Sequence, residues 1–501
     1  MTDDRTEPIA GAIASVSSDA LIAFLRKQRW FGAKGSTPTE ARLSSFVIAP
    51  WGDGTFALAR ATVIAGGVEH VYQLPLAMRP STPADVPASA VVSTSPYALY
   101  DAIYDSDFRT GLVNALAAGA TAGDEGSKWI AEPAHPDRFV VPDDVATRIG
   151  SAEQSNTSII IGSFAILKLF RTLKTGIHPD AEVTRFLTTR AGFANTPALL
   201  ASMRFEDAAG TAASGMVQTF LRGSSDAWSY ALSKSKSYFV AGSEPANPFL
   251  EDAKRLGTVT RELHDALASD ENDPAFAPDP ATSEDLDRWT DRVTRSIRDS
   301  LSLLETQLQS PRFPKQRLAE AKALVGRRDH FAAWVEDIAD ALGDDLGMLI
   351  RVHGDYHLGQ VLRTSSGDFS VIDFEGEPSR SLDERREKTS PLRDVAGMLR
   401  SFAYAAVTLA ISVEKSLDMP TRELRSARWE RDVRASFLSG YMGNADDDAP
   451  GILPEETEHV HLLIALFEAE KAFYELAYEL NNRPDWAWIP MRGISKLLTK
   501  R

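Results

Sequence analysis

The sequence predicts an α+β protein made of more than one packed unit. Three observations lead there. At 501 residues the chain is too long for one ordinary core. Its first part alternates apolar and polar residues with the period of strands, whereas from about Phe249 onward the apolar spacing is helical. With 43% hydrophobic and 25% charged residues, the composition is that of a globular chain.

Several classes fall away at once. The formal charge of −16 argues against a nucleic-acid binder, whose affinity comes largely from neutralising phosphates. With no cysteine, disulfides and thiolate metal sites are excluded. No apolar run reads as the roughly 20 residues a membrane-spanning helix needs. The opening Met-Thr-Asp-Asp-Arg-Thr-Glu-Pro lacks the basic-then-apolar pattern of a signal peptide. The expectation is a cytoplasmic protein without nucleic-acid or membrane partners.

The elements follow in order. Leu21 to Trp30 has helical spacing and runs into Arg29-Trp30-Phe31-Gly32-Ala33-Lys34-Gly35, and Ser44 to Val63 alternates as strands about Trp51-Gly52-Asp53-Gly54. Arg79 to Pro96, rich in Pro, Ser and Thr, reads as a linker or surface loop. In Ser155 to Phe170 two apolar runs flank Gly162-Ser163, a two-residue hairpin signal. Amphipathic helical stretches then span 249–268, 281–309 and 316–342, with a last group from 394 to 482. There is no internal repeat.

Chemistry enters at Lys168, which shares a strand face with Phe164, Ile166 and Phe170. A lone lysine in such a row reads as one snorkelling at a sheet edge. In the next segment, however, Pro179 can open a helix with Glu182 in its first turn. A strand lysine paired with an early-helix glutamate is how kinases hold ATP phosphates.

The stretch from Arg351 to Pro378 carries more. Met348–Val352 reads as a strand leading into a loop with Asp355, and Asp373 ends a second strand. The turn-rich Arg363–Asp368 joins them as a hairpin and brings both aspartates to one edge. Phosphoryl transfer to a hydroxyl needs a carboxylate beside that hydroxyl and oxygen ligands for magnesium. Asp355 suits the first task, Gln360 and Asp373 the second. Capping aspartates on solvated loops would not account for His353, Gly354 and His357 around Asp355. Zinc is the weaker reading of the histidines, because no third nitrogen or sulfur ligand is evident.

His353-Gly354-Asp355-Tyr356-His357-Leu358-Gly359-Gln360 followed by Ile372-Asp373-Phe374-Glu375 resembles the catalytic and metal-binding motifs of the aminoglycoside-phosphotransferase-like kinases, whose fold is similar to that of protein kinases. More narrowly, the chain resembles the bacterial maltokinases, some of which are fused to trehalose synthase. Supporting stretches are Gln28–Gly35, Glu153–Ser158, Ser390–Leu399 and Asn482–Trp486, so that the resemblance covers almost the whole chain.

The resemblance implies a bilobal protein-kinase-like fold with an N-terminal cap subdomain at 1–95, an intermediate subdomain and N-lobe with ATP-binding strands and helix at 96–222, and a mostly helical C-lobe at 223–501. It implies ATP and Mg2+ as cofactors and phosphorylation of maltose at the anomeric hydroxyl, giving maltose 1-phosphate for α-glucan (glycogen-like) synthesis from trehalose or maltose. It also implies a trehalose synthase as a candidate partner. Asp355 becomes the base, Lys168 and Glu182 the phosphate-orienting pair, and Gln360 and Asp373 the magnesium ligands. Two departures stand out: the broader superfamily usually has asparagine where this chain and the maltokinases have Gln360, and there is no glycine-rich loop. Ser155, Asn156, Thr157 and Ser158 would cover the phosphates instead, and Gln218 joins the cofactor-binding candidates.

The last long helix bears on the substrate. It is apolar nearly all round, yet Glu468, Lys471, Glu475, Tyr478 and Glu479 fall on one side, and Trp486 and Trp488 follow. A solvated Glu-Lys-Glu ladder would give the same spacing. As a cleft-facing stripe, Lys471 and Glu475 would grip neighbouring sugar hydroxyls with Tyr478 or Trp486 as platform, and His357 and Glu375 complete the substrate candidates. Two other readings are an amino-sugar (glucosamine) kinase with a carboxylate-rich pocket, and a non-catalytic kinase-like binding module. Retention of Lys168, Asp355 and Asp373 argues against the last.

Overall fold

The computed structural model describes residues 6–52, 54–134, 137–150, 155–240, 246–310, 313–378, 380–414, 416–443 and 451–497. Asp53 of the anticipated turn, and Glu153 and Gln154, lie outside them. The chain forms two compact units, Met1–Arg190 with Pro197–Arg222, and Ala191–Thr196 with Gly223–Arg501.

The first unit is strand-rich. Helices α1 (Thr6–Ala14) and α2 (Ser18–Leu25) precede an antiparallel sheet of β1 (Pro38–Ala49), β2 (Thr55–Ala65), β3 (Val68–Arg79), β4 (Val91–Ser93) and β5 (Ala98–Asp101), in the order β1-β2-β3-β5-β4. Helix α2 stops at Leu25, short of Trp30, because the chain closes in tighter turns that lay Trp30 and Phe31 against Tyr72. The stretch expected to be all linker contains β4, since Val91 pairs with Tyr100.

Helix α3 (Ser106–Ala117), N-capped by Asp105, leads to a second sheet. Its strands are β6 (Thr121–Gly123), β7 (Ser127–Pro133), β8 (Thr147–Ile149), β9 (Asn156–Ile161), β10 (Ala165–Phe170), β11 (Leu199–Asp207) and β12 (Gly210–Thr219), in the order β6-β7-β11-β12-β10-β9-β8. Helix α4 (Pro179–Thr189) lies between β10 and β11 in sequence. One apolar core, including Trp51, Phe108, Trp129, Leu167 and Val217, runs through both sheets. Ile161 pairs with Ala165, so the β9–β10 turn takes in Phe164 as well as Gly162 and Ser163. Gly162, at φ +53, supplies the left-handed step that the turn requires. Alternation buries Ala165, Leu167 and Leu169, which leaves Lys168 on the opposite, half-buried face.

The second unit is helical: α5 (Ala227–Val240), α6 (Leu250–Leu267), α7 (Ser283–Gln307), α8 (Leu318–Val325), α9 (Arg328–Leu342), α10 (Leu382–Arg386), α11 (Leu392–Ser412), α12 (Met419–Met442), α13 (Thr457–Asn482) and α14 (Trp488–Leu497). The stretch read as one helix over 316–342 is broken at Gly326 and Arg327 into α8 and α9. Short strands β13 (Ser225–Asp226), β16 (Val361–Arg363) and β17 (Phe369–Val371) form one sheet, while β14 (Asp279–Pro280) pairs with β15 (Met348–Leu349) in another. The 363–368 turn therefore joins β16 to β17, and the strand before the Asp355 loop belongs elsewhere. Helix α11 is long and apolar enough to cross a membrane, contrary to the reading that no run is, and it is largely buried within this unit.

Two glycines set the distance between α6 and α12. A Cβ at Gly257 would collide with the carbonyl of Phe437, and one at Gly440 with the carbonyl of Lys254. Gly257→Ala gains about 1 kcal/mol of helix propensity, but overpacking against backbone costs ~1–3 kcal/mol and wins. The variant is expected to lower the thermal unfolding midpoint of the helical unit in calorimetry; an unchanged or raised midpoint contradicts the contact.

Candidate active site

In the first unit, Lys168 pairs in register with Ser158 on β9 and Met216 on β12, and Ile166 pairs with Gln218. Directly paired residues point to one face, so Lys168, Ser158 and Gln218 share a face, with Asn156 opposite Phe170 in the same row. Helix α4 supplies Asp180, whose buried carboxylate accepts from Lys168 Nζ at 2.9 Å, and Thr184, 3.5 Å from Gln218 Nε2. His178, the α4 N-cap residue, stacks on Phe170 with centroids 4.0 Å apart, which fixes where the helix begins.

Asn156, Thr157 and Ser158 lie inside β9, although a covering loop was expected; only Ser155 precedes the strand. Strand alternation turns Thr157 inward, where its hydroxyl accepts from Arg171 Nε at 2.8 Å. Arg171 also holds Asp101 at 2.7 Å in a pair withdrawn from solvent. The Thr157 side chain is thereby committed to the core. Glu182 occupies the first turn of α4 as expected and is half-buried. Asp180 is a carboxylate on Lys168 that sequence reading missed, and its position in the first turn after Pro179 was the available signal.

In the second unit, Asp355 lies on a loop held from behind by α11. Asp394 in the first turn of that helix is buried, and its carboxylate accepts the backbone N–H of His353 at 2.7 Å, that of Gly354 at 3.0 Å, and contacts His264 Nε2 at 3.3 Å. Burial opposes its ionisation, but the His264 bond and charge, with His353 and the Gly354 N–H, outweigh burial and hold the carboxyl below its ordinary value. One turn on, Gly397 admits the loop: a Cβ there would lie 2.6 Å from the Tyr356 carbonyl. Ser401 Oγ then accepts the Leu358 N–H at 3.1 Å. Asp394, Gly397 and Ser401 are one stripe of α11.

Asp355 itself is partly exposed and accepts from Lys471 Nζ of α13 at 3.2 Å. Burial works against the Lys471 charge, but Asp355, Glu377 and Glu475 more than restore it and raise its pKa. The same ammonium stands 5.3 Å from the Tyr474 ring centroid. His357 Nε2 lies 3.9 Å from Asp355 Oδ2, and its Nδ1 accepts the Gly359 N–H at 3.0 Å, which leaves the proton on Nε2. Burial lowers the His357 pKa despite Asp355.

The β16–β17 hairpin brings Gln360 and Asp373 to one end. Val361 pairs with Val371, and the Ile372 N–H donates to the Gln360 carbonyl at 3.0 Å. Asp373 has φ 70, the one positive φ outside glycine among the described residues. Such strain persists where the surroundings over-determine it and clusters at functional sites. Both side chains offer oxygen, the donor type magnesium prefers. Asp355, Lys471, Tyr474 and Glu377 line a cavity of about 850 Å³.

Residues 24–105 match the maltokinase N-terminal cap domain. The chain is 26% identical over 358 residues to a glucosamine kinase of Streptacidiphilus jiangxiensis, covering 70% of this chain and 73% of that protein. It is 25% identical over 351 residues to one from Mycolicibacterium smegmatis, covering 70% and 78%. A solved glucosamine kinase in complex with glucosamine, ADP and inorganic phosphate superposes with a TM-score of 0.68 at 21% identity, over 99% of this chain and 100% of that one. A second crystal form gives 0.67 at 22%, over the whole of both chains.

The chain shares the kinase-like fold of the solved glucosamine kinases and carries an N-terminal segment that matches the maltokinase cap domain.

Within this fold, the expected sugar-facing stripe of α13 divides. Lys471 reaches Asp355, but Glu475 is held by Arg400 at 2.7 Å, Glu468 by Arg434 at 2.6 Å, and Glu479 by Arg483 at 2.8 Å. The helix is packed on several sides: Arg400 of α11 and Arg434 of α12 take up Glu475 and Glu468, and its own C-cap Arg483 takes up Glu479. Tyr478 is exposed, and Trp486 sits 5.5 Å from the Arg483 guanidinium. Neither lines the Asp355 cavity. The aromatic ring beside Lys471 is Tyr474, which the i, i+3 spacing could have indicated. Glu377 rather than Glu375 is the cavity-lining carboxylate of its segment.

Asp394→Asn turns an amide N–H toward backbone N–H donors, at a cost of ~1–3 kcal/mol for a buried unsatisfied group. A depressed carboxyl contributes stability that is present above its unfolded value of about 4 and lost as pH falls through the folded one. The stability gap between wild type and Asp394→Asn in urea unfolding should therefore narrow as pH drops below about 4. A gap independent of pH contradicts the assigned role.

Proposed function

We propose that the protein is a sugar kinase that transfers the γ-phosphoryl group of ATP to the anomeric hydroxyl of maltose, yielding maltose 1-phosphate and ADP for α-glucan synthesis. The observation that carries this reading is Asp355, partly exposed in a cavity of about 850 Å³ on a loop that buried Asp394 fixes. As the sugar oxygen attacks phosphorus and the bond to ADP breaks, an Asp355 oxygen accepts the hydroxyl proton. Lys471, which donates to the Asp355 carboxylate, hydrogen-bonds the hydroxyl next to the reacting one. Neutral His357 points its Nε2–H toward Asp355 without competing for the proton.

Lys168, oriented by Asp180 and with Glu182 on the same helix, contacts the ATP phosphates, and the Asn156, Ser158 and Gln218 face borders the nucleotide. Magnesium, held by the oxygens of Gln360 and Asp373, would neutralise charge on the phosphates.

Neutral maltose suits the cavity better than an amino sugar. The carboxylates Asp355, Glu377 and Glu470 are already paired with Lys471, Arg380 and Arg393. A ligand ammonium would meet charge that is already compensated. The maltokinase cap supports maltose, while the similarity to glucosamine kinases keeps glucosamine as the second reading.

Asp355→Asn is expected to cut kcat by roughly 10²–10⁴ while Mg-ATP binding by calorimetry is retained, and Asp373→Ala to lose both. Wild-type kcat/KM should be higher for maltose than for glucosamine. A near-wild-type rate in Asp355→Asn removes the proposed base, and a preference for glucosamine overturns the acceptor while leaving the kinase chemistry standing.

A further inference from the structure

The wall of the acceptor cavity away from Asp355 has more polar capacity than the protein's own groups use. Arg292 on α7 lines the cavity half-buried, with no ion pair and no hydrogen bond among the described residues. Burial lowers its pKa, and the cations Arg393 and Arg380 lower it further against the pull of Glu470 and Glu387. A guanidinium without a partner beside two others is a costly arrangement. Arg393 and Glu470 pair at 2.9 Å, yet Arg393 Nη1 and Glu470 Oε2 each find no hydrogen-bond partner among the described residues. The wall therefore holds surplus donors and a surplus acceptor side by side.

That combination selects the ligand chemistry. A free anion would suit the arginines but face Glu470, and a cation would face three guanidiniums. A neutral hydroxyl both accepts and donates, so it fits. The cavity is also larger than one sugar ring bound at Asp355 requires.

We propose that Arg292 forms a distal subsite that hydrogen-bonds the non-reacting ring of a neutral, multi-ring sugar acceptor. This rests on the sugar-kinase reading above and makes Arg292 the residue that favours a disaccharide over a monosaccharide. When the second ring is missing, Arg292 returns to its unpartnered state, which is how buried polar groups discriminate.

The test compares wild type with Arg292→Gln, which disturbs no native pair, using maltose and glucose. Glucose is followed as a substrate or, where turnover is slow, as a competitive inhibitor against maltose. Loss of a charged hydrogen bond should lower kcat/KM for maltose roughly ten-fold or more, through KM, while the ATP KM, the maltose kcat and the glucose constant stay unchanged. An unaltered maltose KM, or an equal loss for both sugars, overturns the subsite alone. Failure of the wild-type protein to phosphorylate maltose overturns the functional reading and the subsite together.

Discussion

A single buried carboxylate organises the helical unit. Asp394 accepts the backbone N–H groups of His353 and Gly354, and the His353 ring extends the constraint: its Nδ1 lies 3.4 Å from the Asp355 N–H and its Nε2 is 2.9 Å from the Ile372 carbonyl. With Nδ1 accepting, Nε2 carries the proton and donates to that carbonyl. One imidazole thus ties the loop of Asp355 to the hairpin end of Asp373. The helix that carries Asp394 starts at Leu392, so the first turn of α11 fixes both aspartates.

Helix α13 gives the site its electrostatic character. Within it, Glu468, Glu470, Lys471 and Glu475 engage Arg434, Arg393, Asp355 and Arg400. Buried ion pairs of this kind add little net stability over apolar packing, but breaking one leaves an uncompensated charge. Their arrangement therefore holds α13 in one rotation, the one that presents Lys471 and Tyr474 to the cavity. A helix packed by apolar contacts alone could turn without such a penalty.

Local chemistry was legible in the sequence wherever neighbours in the chain create it. Pro179 opened α4, Gly162 marked the β9–β10 turn, and the clustering of His353, Asp355 and His357 marked a loop that the structure puts at a cavity. Pairings between distant segments were not legible. The arginines that take up Glu475 and Glu468, and the grip of Asp394 on a loop about forty residues earlier, depend on tertiary approach. Periodicity named one side of α13 as a polar stripe, but α11, α12, the helix's own C-cap arginine and the Asp355 loop divide that stripe among them. Thr157 shows the same limit, since its inward direction follows from strand register with β10.

The most direct test of the account is the position of the phosphate on the product. The purified protein is incubated with ATP, magnesium and an equimolar mixture of maltose, glucose and glucosamine, and the products are separated by mass and examined by ³¹P–¹H correlation NMR. The expected result is a disaccharide phosphate in which phosphorus couples to the anomeric proton. A phosphorylated amino sugar as the main product, phosphate on a primary hydroxyl, or no sugar phosphate at all would contradict it.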